Sequence, residues 1–90
     1  MRITFDPAKR ARTLQERGLD FADAGKVFAG KTLDRPDVRQ DCGEERIVTV
    51  GHLASRMVVL VWTPRGDACH IISMRKANDR EQARYEAWLD

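Results

Sequence analysis

Apolar positions along this chain follow two different rhythms. After Asp6-Pro7, the residues Ala8, Ala11 and Leu14 or Gln15 recur at three- to four-residue spacing. That interval stacks side chains on one face of a helix. Asp6 can accept hydrogen bonds from the free amides of a first turn, and Pro7 sits where its missing N–H costs nothing. The spacing predicts a helix over Pro7–Arg17, with Lys9, Arg10 and Arg12 outward and Gly18 as its stop. Asp20 caps a second, short helix, with Asp23 three residues later resembling an acidic capping box. Phe21, Ala24, Val27 and Phe28 form its buried stripe, and it ends near Gly30. Ahead of both helices, Arg2–Phe5 reads as a short strand.

Residues 31–45 are polar and poorly periodic, contain Pro36, and leave room for a brief strand near Thr32–Asp34. The rhythm then changes. Arg46–His52, Met57–Thr63 and Cys69–Lys76 read as three strands, with Gly51 and Gly66-Asp67 punctuating the turns. Such short links force antiparallel neighbours, because a parallel pair needs a long crossover. Met57–Trp62 is apolar on both faces, which suits a middle strand. Asn78 or Asp79 caps a last helix that runs to Leu89, packed by Tyr85, Trp88 and Leu89. The predicted fold class is α+β: two N-terminal helices, an antiparallel β-meander sheet and a C-terminal helix. One sheet face is covered by helices and the other stays partly open.

Size and composition bound what this fold can hold. Ninety residues, 42% hydrophobic and 33% charged, support one modest core. The whole of 1–90 reads as a single domain, too short for a full dinucleotide-binding fold. No apolar run follows Met1-Arg2, and the longest one, Met57–Trp62, is too short to span a bilayer. The reading is therefore cytoplasmic, with no membrane partner. Cys42 and Cys69 form no C-x-x-C pair and too small a set for an all-cysteine zinc site. Cys42 beside Asp41 reads as an ordinary free thiol.

The net charge of +2 conceals its distribution. Residues 46–77 carry five basic side chains and one acidic one, a net +4, while 21–45 and 78–90 each carry a net −2. The sheet is thus the basic element. Arg46, Arg56, Arg75 and Lys76 cannot all point inward without partners. Beside the basic first helix, they outline either a phosphate track or simply wet strand ends.

Individual residues narrow the chemistry. Arg75 ends an otherwise apolar strand, where its guanidinium fork suits paired hydrogen bonds to a phosphate; the alternative is a salt bridge to Glu81. His70 lies two residues from Ile72 and four from Met74. Strand alternation therefore groups it with them and sets Cys69, Ile71, Ser73 and Arg75 on the opposite face. His52, at the end of a strand, reads as facing solvent or a turn. Glu45, beside Arg46, can act as a base or neutralise that arginine. Tyr85 can offer a hydroxyl or an aromatic face, or pack in the core. No H-E-x-x-H spacing and no glycine-rich phosphate loop is present, so neither a metal nor a nucleotide cofactor is expected.

At these residues the chain resembles a known family. Asp6-Pro7-Ala8-Lys9, Gly18-Leu19-Asp20-Phe21, Glu45-Arg46, Gly51 and the run Ile71-Ile72-Ser73-Met74-Arg75-Lys76-Ala77 followed by Glu81 and Tyr85 are similar to the BrnT toxins of type II toxin–antitoxin systems. The closing run is the most specific part. The resemblance implies a RelE-like fold, RNA cleavage that arrests translation, and neutralisation by a BrnA-like antitoxin. It also implies an antitoxin with a ribbon-helix-helix domain, so that operator DNA is reached through the antitoxin. The chain departs from the family pattern at His70, where an arginine is usual, at Thr13 for asparagine, and at Arg17 for histidine.

RNA carries its own nucleophile, the 2′-OH, so such a protein need only align it, neutralise the phosphorane and move a proton. On this reading Arg75 stabilises the transition-state charge, Glu45 or His70 is the base, and Tyr85 positions a base or a phosphate. Lys9, Arg46, Arg56 and Lys76 hold the RNA. The alternative class is a non-catalytic subunit that partners the antitoxin and co-represses the operon.

Overall fold

The computed structural model of the chain describes residues 2–37 and 44–89. Cys42 and the link around it lie outside the described residues. In order the elements are β1 (Arg2–Phe5), α1 (Pro7–Arg17), a 3-10 turn over Phe21–Asp23, α2 (Ala24–Ala29), β2 (Leu33–Pro36), β3 (Ile47–Leu53), β4 (Arg56–Arg65), β5 (Ala68–Lys76) and α3 (Asp79–Leu89). The three-strand meander is present, with β4 at its centre, and is extended on both sides. The five-stranded sheet has the order β1-β5-β4-β3-β2, and β1 runs parallel to β5. The sheet is therefore mixed rather than purely antiparallel. The α1 to β4 segment supplies the long crossover that a parallel pair requires.

Two clusters of buried side chains lie on opposite faces of the sheet. On one face, Val58, Leu60, Ile71 and Met74 meet Leu19, Phe21, Ala24 and Val27 from the turn and α2. Phe28 adds an edge-on contact to Trp62 at 5.6 Å between ring centroids. This is the α2 stripe expected from the sequence. On the other face, Val48, Val50, Met57 and Val59 meet Ala77 and Leu89, with Tyr85 packed against them. Polar β2 is tied in by a hydrogen-bond chain. Trp62 Nε1 donates to Thr49 Oγ1 at 2.8 Å, and the Thr49 hydroxyl donates to Asp34 Oδ1 at 2.7 Å.

Helix α1 departs from its expected packing. Asp6 caps it through Ala8 N at 2.8 Å and Gly18 ends it at φ 67°, as the sequence implies. Yet it has no buried residue, and Leu14 is 44% exposed. Its alanine stripe offers too little area to hold it on a sheet face. Charged tethers hold it instead. Arg10 makes a two-point ion pair with Asp20 at 2.7 and 3.0 Å, and Arg17 Nη1 donates to the Met74 carbonyl at 2.9 Å. The second bond satisfies a main-chain acceptor of β5 beyond Ile71, where its pairing with β1 stops.

Gly51 is not a turn residue. It lies inside β3, where a Cβ would stand 2.7 Å from Val27 Cγ1. Its missing side chain lets α2 seat against the sheet. The β3–β4 link is instead Ala54-Ser55, both at positive φ (51° and 71°), the form that matches the right-handed strand twist. Gly66, at φ 60°, begins the β4–β5 turn as expected.

Candidate functional site

One irregularity in β5 sets which side chains share a face. Arg75 pairs with Val59 and Ser73 with Val61; then the register slips, so that Ile71 pairs with Trp62 and His70 with Thr63. Ile72 is the extra residue of a β-bulge. Strict alternation would separate His70 from Arg75. The bulge puts both, with Ser73, on the face of Val59 and Val61, and turns Ile71 and Met74 together into the opposite core. The alternation that grouped His70 with Met74 is thus corrected.

Helix α3 covers the half of this face around Val50, Met57 and Val59. Among the described residues no helix lies on the half around His70, and α1 borders it. A cleft of about 310 Å³ separates Ile72 and Ser73 from Lys9, Arg12, Thr13, Glu16 and Arg17 on α1. His70 is half-buried, and its Nδ1 lies 2.9 Å from Thr4 Oγ1 on β1. Burial, then Arg65, holds its pKa below the usual 6.5; Lys9 acts the same way, while Glu44 and Asp6 oppose it. That balance favours the neutral imidazole. In the tautomer whose Nδ1–H donates to Thr4, Nε2 is free to accept a proton.

Arg75 stands four β4 residues from His70, about 13 Å along the strand. Its guanidinium is turned to the other end of β5. Nη1 and Nη2 donate to Glu81 Oε1 and Oε2 at 2.7 and 2.8 Å, and Nη1 reaches the Lys76 carbonyl at 3.3 Å. Glu81 also accepts from Asn78 N at 2.9 Å while Asn78 Oδ1 accepts from Glu81 N at 2.8 Å. That capping box starts α3 and fixes the arginine's partner in one step. The salt bridge to Glu81, set beside the phosphate reading from the start, is present.

The remaining residues divide by strand parity. Arg46 precedes β3 in phase with Val48 and Val50 and is half-buried on the His70 face. Glu45 is out of phase. Its side chain borders Ile47, Pro36 and Trp62 on the α2 side, while its carbonyl accepts from the Thr63 hydroxyl. Arg56 lines a cleft of about 420 Å³ with His52 and Lys26 at the β3–β4 hairpin. Lys76 pairs with Val58, also on the α2 face. Tyr85 is half-buried on α3, with the Arg84 guanidinium 6.0 Å from its ring centre. So His70, Lys9, Arg46 and Arg75 share one face, with Tyr85 at its α3 end; Glu45, Arg56 and Lys76 lie elsewhere. Thr4, Arg65 and Arg35 were missed. Thr4 gave no signal, because only the parallel β1–β5 register brings it to His70.

Two carboxylates here make folding acid-sensitive. The Arg75 guanidinium holds Glu81 at about 2, and the Arg10 guanidinium with the Ala22 amide holds Asp20 at about 2. Both values are below those of the unfolded chain, 4.5 and 3.8. Their stabilisation is complete above those values and is lost as pH falls toward 2. Urea midpoints measured from pH 6 downward are expected to fall over that window, and less steeply in Glu81→Gln. An unchanged slope in that variant would contradict the assignment.

Among the described residues, no three His, Cys, Asp or Glu side chains gather as a metal site, and no helix is long and apolar enough to cross a membrane. A mixed sheet with α2 on one face, and with the other face half covered by α3 and half cationic around His70, is consistent with a small RelE-like α+β protein. Residues 5–81 match the family model of the ribonuclease toxin BrnT of type II toxin–antitoxin systems, and the chain belongs to that family. It is the toxin component of such a system, with ribonuclease-type activity. A comparison with curated proteins gives no match.

Proposed function

We propose that this toxin cleaves RNA on the sheet face of β5, with His70 as the base that takes the 2′-OH proton. The single observation that supports this most is geometric: His70 Nδ1 lies 2.9 Å from Thr4 Oγ1, which orients the ring on the face that Arg65 shares. As Nε2 takes the proton, O2′ attacks phosphorus, the P–O5′ bond breaks, and O5′ leaves to be protonated by solvent. Lys9, Arg65 and Arg46 surround the developing phosphorane charge. No metal is needed for these steps. Arg75, held away from His70 by Glu81, contacts a flanking phosphate rather than the reacting one, and Tyr85 lies farther along the same track. Thr13 and Arg17 border the cleft beside Ser73. Glu45, Arg56 and Lys76 take no part in the step. Cleavage of this kind in the cytoplasm arrests translation. A BrnA-like antitoxin neutralises the toxin and carries it to operator DNA.

Purified toxin incubated with single-stranded RNA in chelator is expected to yield 2′,3′-cyclic phosphate and 5′-hydroxyl ends. Arg75→Ala is expected to raise KM about tenfold with a smaller change in kcat, because it removes binding shared by ground and transition states. RNA left intact by the wild-type protein would overturn the proposal in favour of the non-catalytic reading.

A further inference from the structure

At the other edge of the same sheet face, α3 and β2 enclose a groove of about 290 Å³. Its floor is Leu33, Val50, Tyr85 and Trp88; Arg35 and Arg84 stand at its rim, and Asp34, whose Oδ1 accepts from the Thr49 hydroxyl, completes the lining. Trp88 is 71% exposed, the largest apolar side chain left uncovered among the described residues. An indole, an aliphatic floor and two guanidinium groups make the composition of an interface centre rather than of a solvated helix face.

We infer that this groove is the docking site for a segment of the antitoxin in which an apolar side chain is flanked by aspartate or glutamate. The inference rests on the toxin–antitoxin partnership and not on the placing of the RNA-cleaving step. Charge selects the occupant. The apolar anchor fills the floor beside Trp88, and the flanking carboxylates meet Arg35 and Arg84. A second copy of this chain fits poorly, because a twofold contact here brings each rim's arginines toward the same arginines of its mate. An RNA strand offers stacking to Trp88 but nothing for Leu33 and Val50.

The position also explains inhibition. Arg35 at the groove's rim acts electrostatically on Glu81, the partner of Arg75. A segment anchored at Trp88 with a carboxylate at Arg35 reaches the phosphate track at Arg75 and competes with RNA there. Neutralisation then requires no contact with His70.

Calorimetric titration of the folded toxin with its cognate antitoxin tests this. Trp88→Ala is expected to weaken binding by about 30-fold or more, and Arg84→Glu by about tenfold with a flatter salt dependence. Trp88 lies outside the cleavage machinery, so free Trp88→Ala should cleave RNA as the wild type does. Binding does not depend on nuclease activity, so the titration reads out even if RNA is not cleaved. Wild-type antitoxin affinity in both variants would overturn the inference. So would a loss of RNA binding, or of a toxin dimer, in Trp88→Ala with antitoxin affinity unchanged.

Discussion

His70→Ala is expected to lower kcat for RNA cleavage by roughly 10²- to 10⁴-fold, the range a positioned general base contributes. The loss should fall on kcat and kcat/KM alike, because proton transfer belongs to the transition state. The wild-type rate should fall as pH drops through the lowered imidazole pKa, since protonation abolishes the base. Burial, Arg65 and Lys9 set that value below 6.5 against the opposing pull of Glu44 and Asp6. Arg65→Ala is therefore expected to move the acid limb to higher pH. Rate–pH profiles of the wild type and both variants check this. A His70→Ala rate within about threefold of wild type would remove His70 from the chemistry.

Leu60→Ala carries the largest expected cost to stability, about 2–5 kcal/mol. Leu60 is fully buried on the central strand, and its neighbours across the sheet, Thr49 and Met74, are fully buried too. Nothing adjacent can relax into the space without breaking the ladder. For a domain this small, each kcal/mol lowers Tm by roughly 4–8 °C, so a fall of about 10 °C or more is expected in a thermal melt. Leu14→Ala on α1 is the counterpart: the helical rhythm of the sequence makes it a core residue, whereas its exposure predicts a shift of only about 2 °C. Equal shifts for the two would contradict the packing of α1.

The contrast between these leucines shows where sequence patterns succeed. The α2 stripe is legible because Phe21, Val27 and Phe28 carry enough apolar area to dictate a buried face. The α1 stripe has the same spacing, but alanines bind too weakly to outweigh two arginine tethers. The strands of the meander stand within a residue or two of their expected bounds, since short links leave only antiparallel pairing. Gly51 misleads for the opposite reason. A glycine between two strands suggests a turn, yet here it makes room for Val27, a residue 24 positions away in the chain.

Fold class, the three central strands, the capped helices, the basic sheet segment and the family resemblance were all determined by local chemistry: side-chain period, capping residues, charge and motif. The partnership of Arg75 with Glu81 was also within reach, as one of two readings. Only the tertiary structure decided that His70 joins Ser73 and Arg75 on one face, because a single bulged residue reverses strand parity without leaving a mark in composition. It also decided that Thr4 orients His70, that Glu45 points away, and that Trp88 stays uncovered. Each of these depends on which strands pair and in what register, and that is an energy balance of the whole sheet rather than a property of any one segment.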